Sequence, residues 1–235
     1  MATASSWCGP WPVAEAGQAS PAGRLIDRRL YLCTPDRPDL EDFLIACIEG
    51  GVDVVQLRDK YLEARALLRR AGIAADACRQ LRVPFILNDR PDLALECGAD
   101  GVHVGQDDIS APIARRILGP AALIGLSTHA RADVEAALAE PVDYLSAGPV
   151  SPTPTKPGRP GTGLGYLGYV AARVTKPWFV TGGVTPDTVG PMVGSGARRF
   201  VVVRYLTEAR DPRTSAVRLR DAITAALEQA GGTDR

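Results

Sequence analysis

Eight short apolar runs recur along the chain, spaced so that each pair leaves room for a helix, and this alternation constrains the fold more than any other feature. The runs read RLYLCT, VDVVQLR, PFILND, DGVHVG, LIGLS, DYLSAG, PWFVTGG and RFVVVR. Between them lie segments able to form helices, over about 40–49 after the first run and 63–81 after the second. Unbroken βα alternation implies a parallel sheet with helical crossovers. Eight such units fit a single (β/α)8 TIM barrel, of class α/β, at the lower end of that fold's size range. The rival is an open doubly wound sheet. It would carry G-x-G-x-x-G after its first strand, where Thr34-Pro35-Asp36 stands instead.

The first 23 residues are rich in Ala, Ser, Gly and Pro without a sustained period, and read as a flexible N-terminal extension carrying Trp7 and Trp11. The barrel is expected over residues 24–230 and a short tail over 231–235. The 27 basic and 27 acidic side chains cancel. A nucleic-acid or membrane surface as main partner would need a standing positive field, so both are disfavoured, while a local basic pocket is not. Five cysteines, Cys8, Cys33, Cys47, Cys78 and Cys97, lack any CxxC pair and suggest neither a disulfide framework nor a zinc knuckle. They read mostly as small core residues. With no secretory signal pattern and no long apolar span, a cytoplasmic protein is expected, with homo-oligomers left open.

In a barrel of this kind the chemistry lies where the strands end. On VDVVQLRDK, side-chain alternation puts Val54, Gln56 and Arg58 on one face and Val55 and Leu57 on the other, with Lys60 just beyond. The aliphatic pair suits packing against helices. Gln56, Arg58 and Lys60 then suit an anion site at the barrel rim, the bland alternative being a structural salt bridge to a neighbouring strand. Asn88 and Asp89 close the third strand, and Asp107 and Asp108 follow the fourth. Carboxylates at adjacent strand ends beside basic residues suit a divalent cation bridging them to phosphate, although each alone would also serve as a helix cap. After the sixth strand, AGPVSPTPTKPGRPGTG supplies Thr153, Thr155 and Lys156 on a proline-stiffened loop, either a phosphate or carboxylate cradle or an inert surface loop. The seventh strand ends in Thr181-Gly182-Gly183 and the eighth in Val203-Arg204, where barrels often hold a phosphate. Two anion sites suggest two phosphorylated substrates.

The ordered motifs QLRDK, ND, HVGQDD, GLSTH, GPVSPTPTK and TGGV resemble those of thiamine phosphate synthases, over nearly the whole chain from about Arg28 to Arg210. The resemblance implies a (β/α)8 transferase that joins a pyrimidine methyl diphosphate to a thiazole phosphate, with Mg2+, releasing pyrophosphate. The thiazole would enter either plain or carboxylated with loss of CO2. Carried over by position, it implies that Gln56, Leu57, Arg58, Asp59, Lys60, Asn88, Ser127 and Lys156 bind the pyrimidine diphosphate. Arg58, Lys60, Ser127 and Lys156 would be the catalytic members. It further implies Thr153, Pro154, Thr155, Gly183, Val203 and Arg204 for the thiazole phosphate, and Asp89 and Asp108 for the metal. The family usually has serine where Arg204 stands, which preserves a backbone contact and not a hydroxyl one. Many members also have Asp after the Thr of the first strand, where Pro35 stands. Ionisation at a diphosphate needs no side-chain nucleophile. The two histidines, His103 and His129, accordingly read as a structural strand residue and a cap neighbour. A thiazole tautomerase and a non-catalytic phosphate-binding barrel are the alternatives; the joint presence of Asp89, Asp108 and Lys156 favours the synthase.

Overall fold

The computed structural model describes residues 20–153, 158 and 160–231. Eight parallel strands close a barrel in chain order: β1 (Leu30–Thr34), β2 (Val54–Leu57), β3 (Phe85–Asn88), β4 (Gly101–Val104), β5 (Leu123–Thr128), β6 (Tyr144–Ala147), β7 (Trp178–Val180) and β8 (Phe200–Val202). β8 pairs back onto β1, matching Leu30 with Phe200. Helices α1 (Leu40–Glu49), α2 (Ala64–Gln80), α3 (Pro91–Glu96), α4 (Ala111–Leu118), α5 (Arg131–Leu138), α6 (Leu164–Arg173) and α7 (Val189–Gly194) form the crossovers. The short α8 (Arg204–Thr207) and long α9 (Pro212–Gly231) follow the last strand. Among the described residues, no helix is long and apolar enough to cross a membrane.

Strand alternation splits the apolar residues into two cores. Outward-facing Leu30, Leu32, Val55, Leu57, Val102, Ile124 and Leu145 pack against the helices, in one continuous layer that also buries Cys47 and Cys78. Inward-facing Tyr31, Cys33, Val54, Ile86, Leu123, Tyr144, Phe179 and Val201 fill the barrel. Three rings dominate this inner core: Phe179 meets Tyr31 edge-on with centroids 5.2 Å apart and meets Tyr144 at 5.7 Å. The Tyr144 ring fits because β5 has a glycine beneath it. A Cβ on Gly125 would lie 2.1 Å from Tyr144 Cζ and 2.4 Å from His103 Nδ1. From below, Leu25 on a 3₁₀ turn (Ala22–Leu25) joins the same inner core, fully buried. The preceding Arg24 donates to Asp100 Oδ1 at 2.9 Å and to the Ala121 carbonyl at 3.1 Å.

An aspartate stands just before each of β2, β4 and β6, and each ties down the start of the strand one position earlier. Asp53 accepts the N–H groups of Arg29 and Leu30 at 2.6 and 2.9 Å. Asp100 accepts that of Phe85 at 2.9 Å, and Asp143 that of Ile124 at 2.7 Å. These amides find their acceptors in the carboxylates, and an unsatisfied buried amide costs about 1–3 kcal/mol. Asp143 also holds Arg115 at 2.6 Å, with both side chains largely buried. Asp143→Ala is therefore expected to lower the unfolding free energy by about 2–4 kcal/mol. Urea denaturation checks this; a loss under about 0.5 kcal/mol would show that the clamp is redundant.

Candidate active site

Above the aromatic rings, the inward-facing side chains turn polar. Gln56, Asn88, His103, Ser127 and Ser146 form a buried ring at the ends of β2 to β6. They line a cavity of ≈ 290 Å³ that opens at the C-terminal end of the barrel. Its other wall comes from the loops after β6, β7 and β8, with Thr153, Gly182, Gly183, Thr185, Val203 and Arg204. Gln56, Arg58 and Asn88 of the first anion region expected from the sequence and Thr153, Gly183, Val203 and Arg204 of the second thus line one chamber, whereas Lys60, Asp89 and Asp108 are not among its lining residues. Gly182 makes the junction possible: it has φ 90°, and a Cβ there would lie 2.4 Å from Pro149 Cβ. Val150 N–H donates to the Thr181 carbonyl at 2.8 Å, tying the two loops together.

β2 supplies the most exacting contribution. Gln56 is 5 % exposed, yet its amide nitrogen Nε2 has no hydrogen-bond partner among the described residues. Arg58 lines the same cavity and makes no ion pair among the described residues, so a structural salt bridge does not account for it. A buried amide donor without a partner costs about 1–3 kcal/mol, which a ligand acceptor would offset. Leu57 turns its side chain outward into the helix-facing core, so only its main chain faces the rim. Asp59 accepts the N–H groups of Tyr61 and Leu62, both at 2.9 Å, and so shapes the turn that carries Lys60.

Lys60 reaches across to the two carboxylates. Its Nζ lies 2.9 Å from Asp89 Oδ2 and 3.6 Å from Asp108 Oδ1. Asp89 gets there by an unusual backbone turn, with φ 61°, while its N–H donates to the His103 carbonyl at 2.9 Å. Asn88 keeps the inward parity of β3, and the left-handed residue after it swings the carboxylate over the rim. Asp108 is steadied by the Gly105 N–H at 2.9 Å. Burial, reinforced by the neighbouring Asp108, pushes Asp89 above the ordinary carboxylate value against the pull of Lys60. Burial also pushes on Asp108, but hydrogen bonds from Asp89 and the Gly105 N–H, with Lys60, hold it below that value. Two like charges at one rim are repelled into unequal proton affinities, an arrangement a divalent cation would relieve. No group of three His, Cys, Asp or Glu side chains converges among the described residues. A two-carboxylate set fits magnesium, which commonly takes one or two carboxylates and completes its shell with phosphate and water.

Pro154, Thr155 and Lys156 lie outside the described residues; Thr153, just before them, lines the cavity. His129 stands at the start of α5, where Asp133 accepts its N–H at 2.8 Å and its Nδ1 meets the Gly148 carbonyl. Among the lining residues to which the sequence assigned no role are Ser146, Tyr31, Thr185 and Glu208. Ser146 has the inward parity of β6, and Tyr31 that of β1, so alternation was a usable signal for both. Glu208 lies beyond the last strand, where periodicity gives no guide.

A thiamine monophosphate synthase family model matches residues 30–206. The thiamine-phosphate synthase of Mycobacterium sp. (strain KMS) is 50% identical over 212 residues, covering 85% of this chain and 94% of its relative. That of Streptomyces avermitilis is 49% identical over 198 residues, covering 82% and 92%. The solved structure of a thiamine phosphate pyrophosphorylase from Pyrococcus furiosus aligns with a TM-score of 0.79 at 27% identity, covering 88% of this chain and 98% of that one. With a family model spanning the barrel and half of the residues shared with these relatives, the chain belongs to the thiamine monophosphate synthase family.

Proposed function

We propose that the cavity joins a pyrimidine methyl diphosphate to a thiazole phosphate, with magnesium held by Asp89 and Asp108, and releases pyrophosphate. Thiamine-phosphate synthase activity is what membership of the family carries; the roles of individual residues and the metal are the proposal. The observation that carries it is the β2 wall. There Gln56, whose buried Nε2 has no partner among the described residues, and Arg58, which has no ion pair among them, line one cavity, and the turn that follows carries Lys60 to the carboxylate pair.

In this reading the pyrimidine lies low in the cavity, with Gln56 Nε2 donating to a ring acceptor. The diphosphate lies toward the rim between Arg58, Lys60, Asn88 and Ser127. When bound, magnesium would supply Lewis-acid stabilisation of the departing diphosphate oxygens. The exocyclic C–O bond breaks with its electron pair leaving on the diphosphate, so negative charge grows where the Arg58 and Lys60 cations already stand. The thiazole nitrogen then donates its lone pair to the resulting carbon cation, forming the new C–N bond. Thr153, Thr155, Gly183 and the Val203-Arg204 segment hold its phosphate, and the Lys156 cation binds the leaving group. No general base is required, and neither carboxylate is needed as a nucleophile. A tautomerase reading would leave the Lys60, Asp89 and Asp108 cluster without a task.

Incubation of the purified protein with both substrates and magnesium is expected to yield thiamine phosphate and pyrophosphate in equal amounts. Chelation should stop turnover and added magnesium restore it. Absence of product while both ligands bind would overturn the reading. Arg58→Ala is expected to lower kcat by about 10²–10³-fold, the size of losing one preorganised electrostatic donor. Its melting temperature should stay within about 2 °C, because the side chain has no ion pair among the described residues to lose. Asp89→Ala and Lys156→Ala should likewise cut turnover far more than stability. Parallel losses of both would assign these residues to the scaffold.

A further inference from the structure

Beneath the polar ring a continuous hydrogen-bonded chain crosses the barrel, and no step of the proposed reaction uses it. Tyr31 Oη lies 3.0 Å from Tyr144 Oη, and Tyr144 Oη lies 3.2 Å from His103 Nδ1. His103 Nε2 lies 2.9 Å from Ser127 Oγ. All four side chains are buried. Burial raises both tyrosine pKa values far above the ordinary phenol, so each hydroxyl keeps its proton.

Such a chain can run in two directions. In one, His103 Nδ1–H donates to Tyr144, Tyr144 donates to Tyr31, and Ser127 spends its own O–H downward on Nε2. The Tyr31 O–H then needs another acceptor, and its only hydrogen-bond partner among the described residues is Tyr144. That direction leaves the Tyr31 donor, on a side chain only 2 % exposed at the cavity floor, without a protein acceptor among the described residues. In the other, Tyr31 donates to Tyr144, Tyr144 donates to Nδ1, and Nε2–H donates to Ser127 Oγ. Every buried donor is then satisfied, and the Ser127 hydroxyl hydrogen is left free to point into the cavity. Ser146 Oγ lies 3.4 Å from both His103 Nε2 and Ser127 Oγ, and in this direction its O–H goes to Ser127. The Ser127 carbonyl is meanwhile held by Gln106 Nε2 at 2.6 Å.

We propose that His103, fixed as its Nε2–H tautomer by Tyr144 and Tyr31, is a positioning residue that aims the Ser127 hydroxyl hydrogen at the diphosphate of the pyrimidine substrate. This rests on the reading above that Ser127 touches the diphosphate. The device is a tautomer lock: the neutral imidazole takes up one lone pair of Ser127 so that its proton is committed upward before substrate arrives. Its effect belongs to the ionisation step, where charge on the leaving oxygens increases, and so to kcat more than to KM.

The test compares Ser127→Ala, His103→Leu, His103→Gln, Tyr144→Phe and the double variant His103→Leu/Ser127→Ala, in the full chain, with both substrates and magnesium. Ser127→Ala and His103→Leu should each lower kcat by about tenfold or more while KM changes less than about threefold. The double variant should be no slower than Ser127→Ala alone, because His103 acts only through that hydroxyl. His103→Gln places an amide N–H near the position of Nε2 and should restore most of the rate. Tyr144→Phe, nearly isosteric, should fall between in rate, with a melting temperature lowered by several degrees because the Tyr31 hydroxyl loses its partner, while the chain still folds. If His103→Leu fails to fold, Tyr144→Phe combined with Ser127→Ala completes the same cycle. A normal kcat for Ser127→Ala would overturn both the assigned role of Ser127 and the lock. A slow Ser127→Ala with additive losses on changing His103 or Tyr144, or with no effect of those changes, would overturn the lock alone.

Discussion

A strand inside a closed barrel is buried on both faces, and it can turn a polar side chain inward only above the level at which the interior is filled. In this chain that level is set by Tyr31, Tyr144 and Phe179, whose rings meet across the axis. The step from apolar Val54 to polar Gln56 on β2 crosses it, as do the steps from Ile86 to Asn88 on β3 and from Tyr144 to Ser146 on β6. Each crossing is one inward position, two residues along the strand. The rings are thus both core and floor: they exclude water from below, and they leave the donors above them in a chamber where charge is weakly screened. Gly125 is the concession that lets them fit, since any side chain there would collide with Tyr144 and His103.

Period-two alternation made much of this legible without coordinates. It separates Gln56 and Arg58 from Val55 and Leu57, and the structure lines the cavity with the first pair and buries the second against the helices. The first two helices also fall where their apolar spacing places them, α1 at Leu40–Glu49 and α2 at Ala64–Gln80. What alternation cannot encode is convergence from separate strands. The meeting of Lys60 with Asp89 and Asp108 depends on the left-handed turn at Asp89, and the letters ND do not announce a positive φ. Asp59 stands among the positions that the family resemblance assigns to the diphosphate, and its Oδ1 accepts the amides two and three residues on, a local turn the letters alone do not announce. The aspartates before β2, β4 and β6 were visible as letters, yet their job of holding the neighbouring strand's first amide appears only once register is known.

The barrel divides its polar groups by what they are asked to do. At the lower rim, Asp53, Asp100 and Asp143 are satisfied within the fold, and Arg24 and Arg115 are held by carboxylates and carbonyls. At the upper rim the accounts are left open. Gln56 Nε2 has no partner, Arg58 no ion pair among the described residues, and two carboxylates share one lysine. Such groups lower the stability of the empty protein, and folds tolerate them where a ligand supplies the missing partners. The strong lower rim makes the tolerance possible, because strand starts are fixed independently of whatever occupies the top.

His103 belongs to both regimes, and this is why strand parity alone could not classify it. One nitrogen faces the floor, where Tyr144 and Tyr31 are fully engaged with one another; the other faces the polar ring, where Ser127 must serve a ligand. A residue bridging a saturated network and an unsaturated one transmits the direction of donation from the first to the second. Reversing the buried end would leave the Tyr31 hydroxyl without a protein acceptor among the described residues, which favours the direction that frees the Ser127 hydrogen at the exposed end. A structural histidine and a functional one are then the same side chain seen from below and from above: its packing is the means by which the Ser127 hydroxyl is aimed.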